Sequence, residues 1–238
     1  YGDSAMISKS TDGGRSWQQQ FYRPEAVFYD MIALGPQTAI AAGTRYAYGG
    51  LIYRTANGGT TWTEVEPSLA LFTAMDFVDE LTGWVCGGLI YRTDDGGVTW
   101  TKGRGVPDLF PVGLALDPRN PRRAFAALGG GGGGDGAVIV TQDGGRKWND
   151  VSGRGSTRLP RTPVTGVAID PTDPDVIYAA TDVGVFRGAV RGVDAPSCEW
   201  IPFDEIIANR FLDCGAAHIL CGALRMPACD PSEQRIAL

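Results

Sequence analysis

Four stretches share one pattern: Ser10–Trp17 (STDGGRSW), Thr55–Trp62 (TANGGTTW), Thr93–Trp100 (TDDGGVTW) and Thr141–Trp148 (TQDGGRKW). Each runs hydroxyl, any residue, Asp or Asn, Gly-Gly, any residue, a second hydroxyl in three of the four, then Trp. The acid or amide positions, Asp12, Asn57, Asp95 and Asp143, recur at spacings of 45, 38 and 48 residues, the period of a propeller, solenoid or array. Apolar runs precede the boxes at Leu51–Arg54, Leu89–Arg92 and Ala137–Val140, and a second strand begins at each Trp. Each box is thus a hairpin connection. Gly-Gly supplies the positive φ that such a turn needs. The Asp or Asn oxygen accepts backbone N–H bonds a few residues on, the hydroxyl of Ser10, Thr55, Thr93 or Thr141 adds another, and the Trp covers the turn.

Outward from the boxes, short strands alternate with Gly/Pro/Asp turns, four strands to a unit. The units span 1–20, 25–66, 70–104, 109–154 and 162–204. The first holds only the last two strands of a blade, and the fifth has lost its box but keeps Trp200. This pattern predicts an all-β fold, a β-propeller of four-stranded antiparallel blades with about five blades or a partial ring. Gly113, Gly166 and Ala74 recur on the innermost strands, where blades crowd the axis. After Glu205 the pattern ends. The tail over 205–238 has no box and no Trp; 211–224 could supply two strands that close the ring against 1–20, and an unrelated tail fits the composition equally.

The motif resembles the Asp-box, or BNR repeat, with Asn57 replacing the acid and Lys147 the second hydroxyl. In that family the box lies on the blade periphery, away from any active site. The resemblance therefore implies a structural role for Asp12, Asn57, Asp95 and Asp143 and for Trp17, Trp62, Trp100 and Trp148. Asn57 agrees, because an amide caps a turn but cannot replace a catalytic acid. The third unit (Met75-Asp76-Phe77, Gly83-Trp84-Val85) looks like photosystem II assembly and stability factors. The fourth and fifth (Leu116-Asp117-Pro118, Ile169-Asp170-Pro171) look like sortilin-type and xyloglucanase-type propellers. The resemblance favours an extracytoplasmic or secreted setting.

Composition narrows the function classes. A net charge of −6 argues against a nucleic-acid surface, and no apolar run approaches the ~20 residues of a membrane span. Tyr1 in place of Met marks a processed chain or a fragment. Five cysteines, Cys86, Cys198, Cys214, Cys221 and Cys229, show no C-x-x-C spacing, and the odd count leaves at least one thiol free. With the single histidine His218, no multi-histidine metal site, His-based triad or cofactor is expected. Six glycines over 129–134 lack the Gly-Lys-Ser/Thr and helix of a phosphate loop and read as a flexible loop. Sialidase chemistry lacks its Arg-Ile-Pro motif: Tyr22-Arg23-Pro24 has no Ile and follows the first box. Asp30 and Asp76 lie on inner strands without a persuasive acid–base pair.

The expectation is a non-catalytic binding or scaffold module for a protein or glycan. The alternative is a glycoside hydrolase, xyloglucanase-like, or a fragment of one. The binding face would be opposite the boxes, with Tyr22, Arg23, Arg45, Tyr46, Tyr48, Asp108, Phe110, Arg158 and Arg161 on its loops and Asp30 nearby, since Tyr and Arg are favoured at hot spots. No catalytic residue is assigned.

Overall fold

The computed structural model describes residues 4–45, 49–68, 70–129, 135–192 and 195–203. The ring-closing segment expected in the tail, with Cys214, Cys221, Cys229 and His218, lies outside the described residues, as do Tyr46 and Tyr48. The described chain is all-β apart from a single-turn 3-10 segment, Gly155–Thr157, and the helical residue Phe203 after the last strand. Four sheets are four-stranded and antiparallel, and each follows chain order. They are β3–β6 (Ala26–Ala33, Ala39–Arg45, Gly49–Thr55, Thr63–Ser68), β7–β10 (Phe72–Phe77, Gly83–Gly87, Ile90–Thr93, Thr101–Lys102), β11–β14 (Phe110–Leu116, Ala124–Gly129, Ala137–Thr141, Asn149–Asp150) and β15–β18 (Val164–Ile169, Val176–Thr181, Gly184–Arg191, Ser197–Pro202). Before them, β1 (Ser4–Lys9) and β2 (Gln18–Pro24) form a two-stranded sheet. These are the blades of a β-propeller.

Inner strands pack in sequence around the axis, β11 between β7 and β15. A Cβ built on Gly113 would lie 3.7 Å from Gly166 Cα, so small residues set the closeness of neighbouring inner strands. Each inner strand also carries a bulge at the same place. Pairing skips Tyr29 on β3, Thr73 on β7, Val112 on β11 and Thr165 on β15. An extra residue bends the strand and increases its twist. Opposite two of these bulges sits a glycine with no room for a side chain. A Cβ on Gly43 would lie 1.9 Å from the Val27 carbonyl oxygen, and one on Gly87 2.1 Å from that of Leu71.

The core lies between blades. Middle strands are buried on both faces: Ala124–Leu128 and Ala137–Val140 are wholly so, as befits strands sandwiched between sheets. One cluster joins Trp84 and Ile90 to Ala126, Ile139 and Trp148; the next joins Phe125, Val138 and Val140 to Val167, Ile177 and Trp200. Polar ties cross the same interfaces. Lys9 Nζ donates to the Gly58 carbonyl (2.8 Å) and Arg54 Nε to that of Gly96 (2.8 Å). Both bases stand immediately before a box and reach the first glycine of the next one.

Candidate functional site

Blade order fixes two faces. β3 starts where β4 ends, β5 starts and β6 ends, with Ala26 opposite Arg45 and Arg45 opposite Gly49. The boxes close the opposite end of each third-to-fourth hairpin.

The four boxes share one geometry. Both glycines take positive φ in each, from +67° at Gly58 to +92° at Gly59. The leading hydroxyl accepts the N–H of the second glycine: Gly14 to Ser10 (2.7 Å), Gly59 to Thr55 (3.0 Å), Gly97 to Thr93 (2.9 Å) and Gly145 to Thr141 (2.8 Å). The same hydroxyl donates to Asp12, Asn57, Asp95 or Asp143. The acid or amide oxygen accepts the N–H four residues on, from Ser16, Thr61, Thr99 and Lys147. At Asn57 the amide nitrogen donates to the Thr61 hydroxyl (2.8 Å), where Asp12 and Asp95 instead receive a hydroxyl bond. The Ser16 hydroxyl and N–H, with Ser10, hold the Asp12 carboxyl down to about 2. At Asp95 and Asp143 burial works upward, but the bonds from Thr99 and Thr93, and from Lys147 and Thr141, outweigh it and lower both. Every lone pair committed to the turn is one withdrawn from chemistry elsewhere.

The tryptophans differ by blade. Trp148 is 5% exposed and meets Trp84 of the preceding blade edge-on at 5.7 Å. Trp100 meets Phe77 of its own inner strand at 6.2 Å. Trp62 lies against Phe21 of the first blade. Trp17 is 65% exposed, its indole N–H donating to the Gly14 carbonyl (3.1 Å).

The residues expected on the loop face divide. Tyr22 and Arg23 are on strand β2, not on a loop; Arg23 pairs with Ala5 and Tyr22 with Met6. The Tyr22 hydroxyl lies 3.1 Å from Ser4 Oγ. In the extension of β2 to Pro24, half-buried Phe21 and Arg23 alternate with exposed Tyr22 and Pro24, and Glu25 at φ +57° makes the sharp corner into β3. Arg45 closes β4 and forms an ion pair with Glu64, whose other oxygen accepts the Tyr53 hydroxyl (3.0 Å). It is half-buried and committed within its blade. Asp30 is a tie between blades: Oδ1 accepts the Met31 N–H and Oδ2 the N–H of Met75 on β7, each at 2.8 Å.

The rim opposite the boxes instead gathers around the long 151–163 connection. Val151, Ser152 and Leu159 are buried. Leu159 N–H donates to the Ser152 carbonyl (2.8 Å), Ser152 Oγ accepts the Val138 N–H (3.0 Å), and Trp200 donates to the Val151 carbonyl (2.8 Å). Gly136 N–H reaches the Thr162 carbonyl (3.0 Å), and Arg161 approaches Asp135 at 3.6 Å. The connection is pinned at both ends, while Arg158 and Arg161 face solvent. Val151 and Leu159, the apolar side chains bracketing the polar run 152–158, are the sequence signal that reveals that anchoring. Asp108 is exposed and Phe110 half-buried on the same rim.

One inner-strand carboxyl is unusual. Burial pushes Asp76 up to about 6, with the nearby Asp30 charge adding and the Phe77 N–H bond (2.8 Å) opposing. Among the described residues no cluster of His, Cys, Asp and Glu has the arrangement of a metal site. Cys86 and Cys198 are buried thiols, and burial holds both well above their ordinary range. No helix among the described residues is long and apolar enough to cross a membrane.

The BNR/Asp-box repeat family matches residues 91–102. No curated protein matches the chain by sequence. Solved structures do. The GH74 enzyme of Niastella koreensis superposes with a TM-score of 0.61 at 17% identity, over 82% of this chain and 36% of that one. The GH74 xyloglucanase of Xanthomonas campestris gives 0.60 at 14%, over 83% and 36%. YCF48, solved bound to a D1 peptide, gives 0.55 at 15%, over 84% and 63%. The chain thus spans about a third of the two hydrolases. Identities at this level speak to the fold alone. With four boxes of one geometry on sequential four-stranded blades, this chain carries the BNR/Asp-box repeat on a β-propeller fold.

Proposed function

We propose that the chain is a binding or scaffold module that recognises a protein or glycan through the rim opposite the boxes. The observation that carries this reading is the 151–163 connection, fixed by Leu159 and Val151 while it presents Arg158 and Arg161. A surface fixed before binding loses little entropy on association, and arginine is enriched at binding hot spots. The rim is rebuilt relative to the sequence expectation: Arg45 serves its own blade, and Tyr22 and Arg23 contribute from the end of a strand. YCF48 supports the reading as a propeller of like fold that holds a peptide.

The test is Arg158→Ala combined with Arg161→Ala. Binding of xyloglucan oligosaccharides and of extended peptides is followed by calorimetry. Affinity for whichever class binds should fall by more than about 1 kcal/mol, with the urea midpoint unchanged. Unaltered affinity sinks the rim assignment.

A second reading, glycoside hydrolysis, has the Asp76 carboxyl behind it. A carboxyl raised toward 6 suits a general acid, and two of the matched structures are GH74 enzymes. Hydrolysis needs a second carboxylate across a cleft. Reducing ends released from xyloglucan, and lost in a folded Asp76→Asn variant, would replace the binding reading with this one.

A further inference from the structure

The fourth box differs from the others in what meets it. The outermost strand of the third blade, β10, has only two residues. After it the chain crosses to the fourth box: Gly103 N–H donates to the Ile90 carbonyl (2.8 Å) and Arg104 N–H to that of Gly145 (3.0 Å). A pocket of about 310 Å³ lies between Thr101–Arg104 and Gly144–Arg146. Its floor is bare backbone, because packing demands glycine there. A Cβ on Gly145 would lie 2.7 Å from the Trp84 ring, and one on Gly103 3.1 Å from Trp148 Nε1. That indole nitrogen is buried with no acceptor among the described residues, whereas Trp17 donates to Gly14 in the first box. Its N–H dipole adds positive potential at the floor. Around the pocket stand Lys102, Arg104 and Arg146, all exposed. None of the three forms an ion pair among the described residues, and no carboxylate lines the pocket. Arg146 feels only the Asp143 charge of its own box. The counterparts of Lys102 and Arg146 are Gln19 and Thr60 between the first two blades, and Glu64 and Val98 between the next two. Three unpaired cations thus meet at one junction of a chain whose net charge is −6.

We propose that this pocket binds an oxyanion of an acidic glycan, a uronate carboxylate or a sulfate ester, at a site separate from the rim opposite the boxes. Guanidinium groups meet such oxyanions with paired, charge-assisted hydrogen bonds. A floor without side chains lets a sugar ring approach the backbone closely. On the other side of Thr101–Arg104 a second hollow of about 660 Å³ reaches Leu89 and Val106, room for the sugars that flank the acidic one. An extended acidic peptide fits less well. It would add to the sheet edge through a row of main-chain bonds, and β10 offers two residues. A nucleic-acid backbone needs a continuous basic track, and the cations here are confined to one junction.

Equilibrium binding of the full chain to polygalacturonate, dextran sulfate, uncharged dextran and poly-glutamate at low salt tests this. Polygalacturonate, dextran sulfate or both should bind, which names the oxyanion, and uncharged dextran should not. Rising salt should weaken the binding. Arg104→Gln combined with Arg146→Gln should weaken it at least about tenfold, the worth of one charge-assisted hydrogen bond, with the urea midpoint unchanged because neither side chain is paired. Should the double variant fail to fold, Lys102→Gln alone should show a loss in the same direction. Arg15→Gln removes a like charge from the first box and should leave the affinity unchanged. Binding of neither acidic glycan overturns the proposal, as does equal binding of uncharged dextran or an affinity that survives the Arg104, Arg146 and Lys102 substitutions. An equal loss in Arg15→Gln would assign the effect to overall charge and overturn the site. Poly-glutamate bound as tightly as the acidic glycans would make the partner an acidic peptide and overturn the choice of a glycan.

Discussion

At the scale of single residues, the same side chain does different work according to what surrounds it. Asp95 is ringed by donors, so its charge is held. Asp76 has one backbone donor, a burial cost and the Asp30 charge nearby, so its neutral form is favoured. The stability consequence has a definite sign. A carboxyl raised from 3.8 to about 6 on folding opposes the folded state wherever it is ionised, fully above about pH 6 and progressively less as the pH falls toward 4. Asp76→Asn keeps an acceptor for Phe77 N–H and removes the charge. It should stabilise the protein at pH 8 by about 1–3 kcal/mol, since a tenfold change in a carboxylate's proton affinity corresponds to about 1.4 kcal/mol. The gain should shrink toward pH 4, and urea midpoints at the two pH values measure it. The box chemistry was legible in the sequence because every bond in it spans four residues or fewer. The Asp76 environment was not, because it is made first by burial between packed blades and then by the charge of Asp30, adjacent only once β3 and β7 pack.

At the scale of elements, strand order and hairpin turns could be read from alternation and from Gly-Gly. Strand ends could not. Tyr22-Arg23-Pro24 looks like a connection because it carries Pro and polar groups, yet it continues β2 through register with Ser4–Met6. Pro24 is tolerated there as the last residue, where no ladder N–H is demanded of it. The inner-strand bulges were also hidden, since nothing local distinguishes Tyr29, Thr73, Val112 or Thr165 from their neighbours. Their partners betray them: Gly43 and Gly87 face a carbonyl at a distance no Cβ can share. Gly43→Ala should therefore force the bulge open and destabilise by about 3 kcal/mol or more, in the range reserved for backbone conflict and overpacking. Gly13→Ala would meet no neighbour but would strain its φ of +73°, costing about 1–2 kcal/mol. Denaturant midpoints of the pair separate crowding from backbone strain.

At the scale of the whole molecule, the blades are joined as well as stacked. Arg123 links the turn of the fourth blade to that of the fifth, with Asp175 at 2.7 Å and the buried Asp117 at 3.5 Å, and its guanidinium lies 5.2 Å from the Phe125 ring centre. Arg119 reaches the Pro171 and Thr172 carbonyls from the same turn. Arg123→Ala strands the Asp117 charge and should cost about 3–5 kcal/mol, as breaking a buried pair does. Hydrogen exchange should quicken first around 117–123 and 170–176. The Asp-Pro turns were legible as turns, but their role as inter-blade clasps needed the ring geometry. One further property follows from the described strands, which pair only with their neighbours in the chain. Nearly every sheet contact closes a short loop, so the entropy lost at each step is small and the contact order of a blade is low. The box hairpins, which hold their own hydrogen bonds, are natural nuclei that form within microseconds. Folding would then spread outward from several starting points along the chain, and the rate-limiting event would be the packing of one blade's inner strand on the next, as β11 packs between β7 and β15.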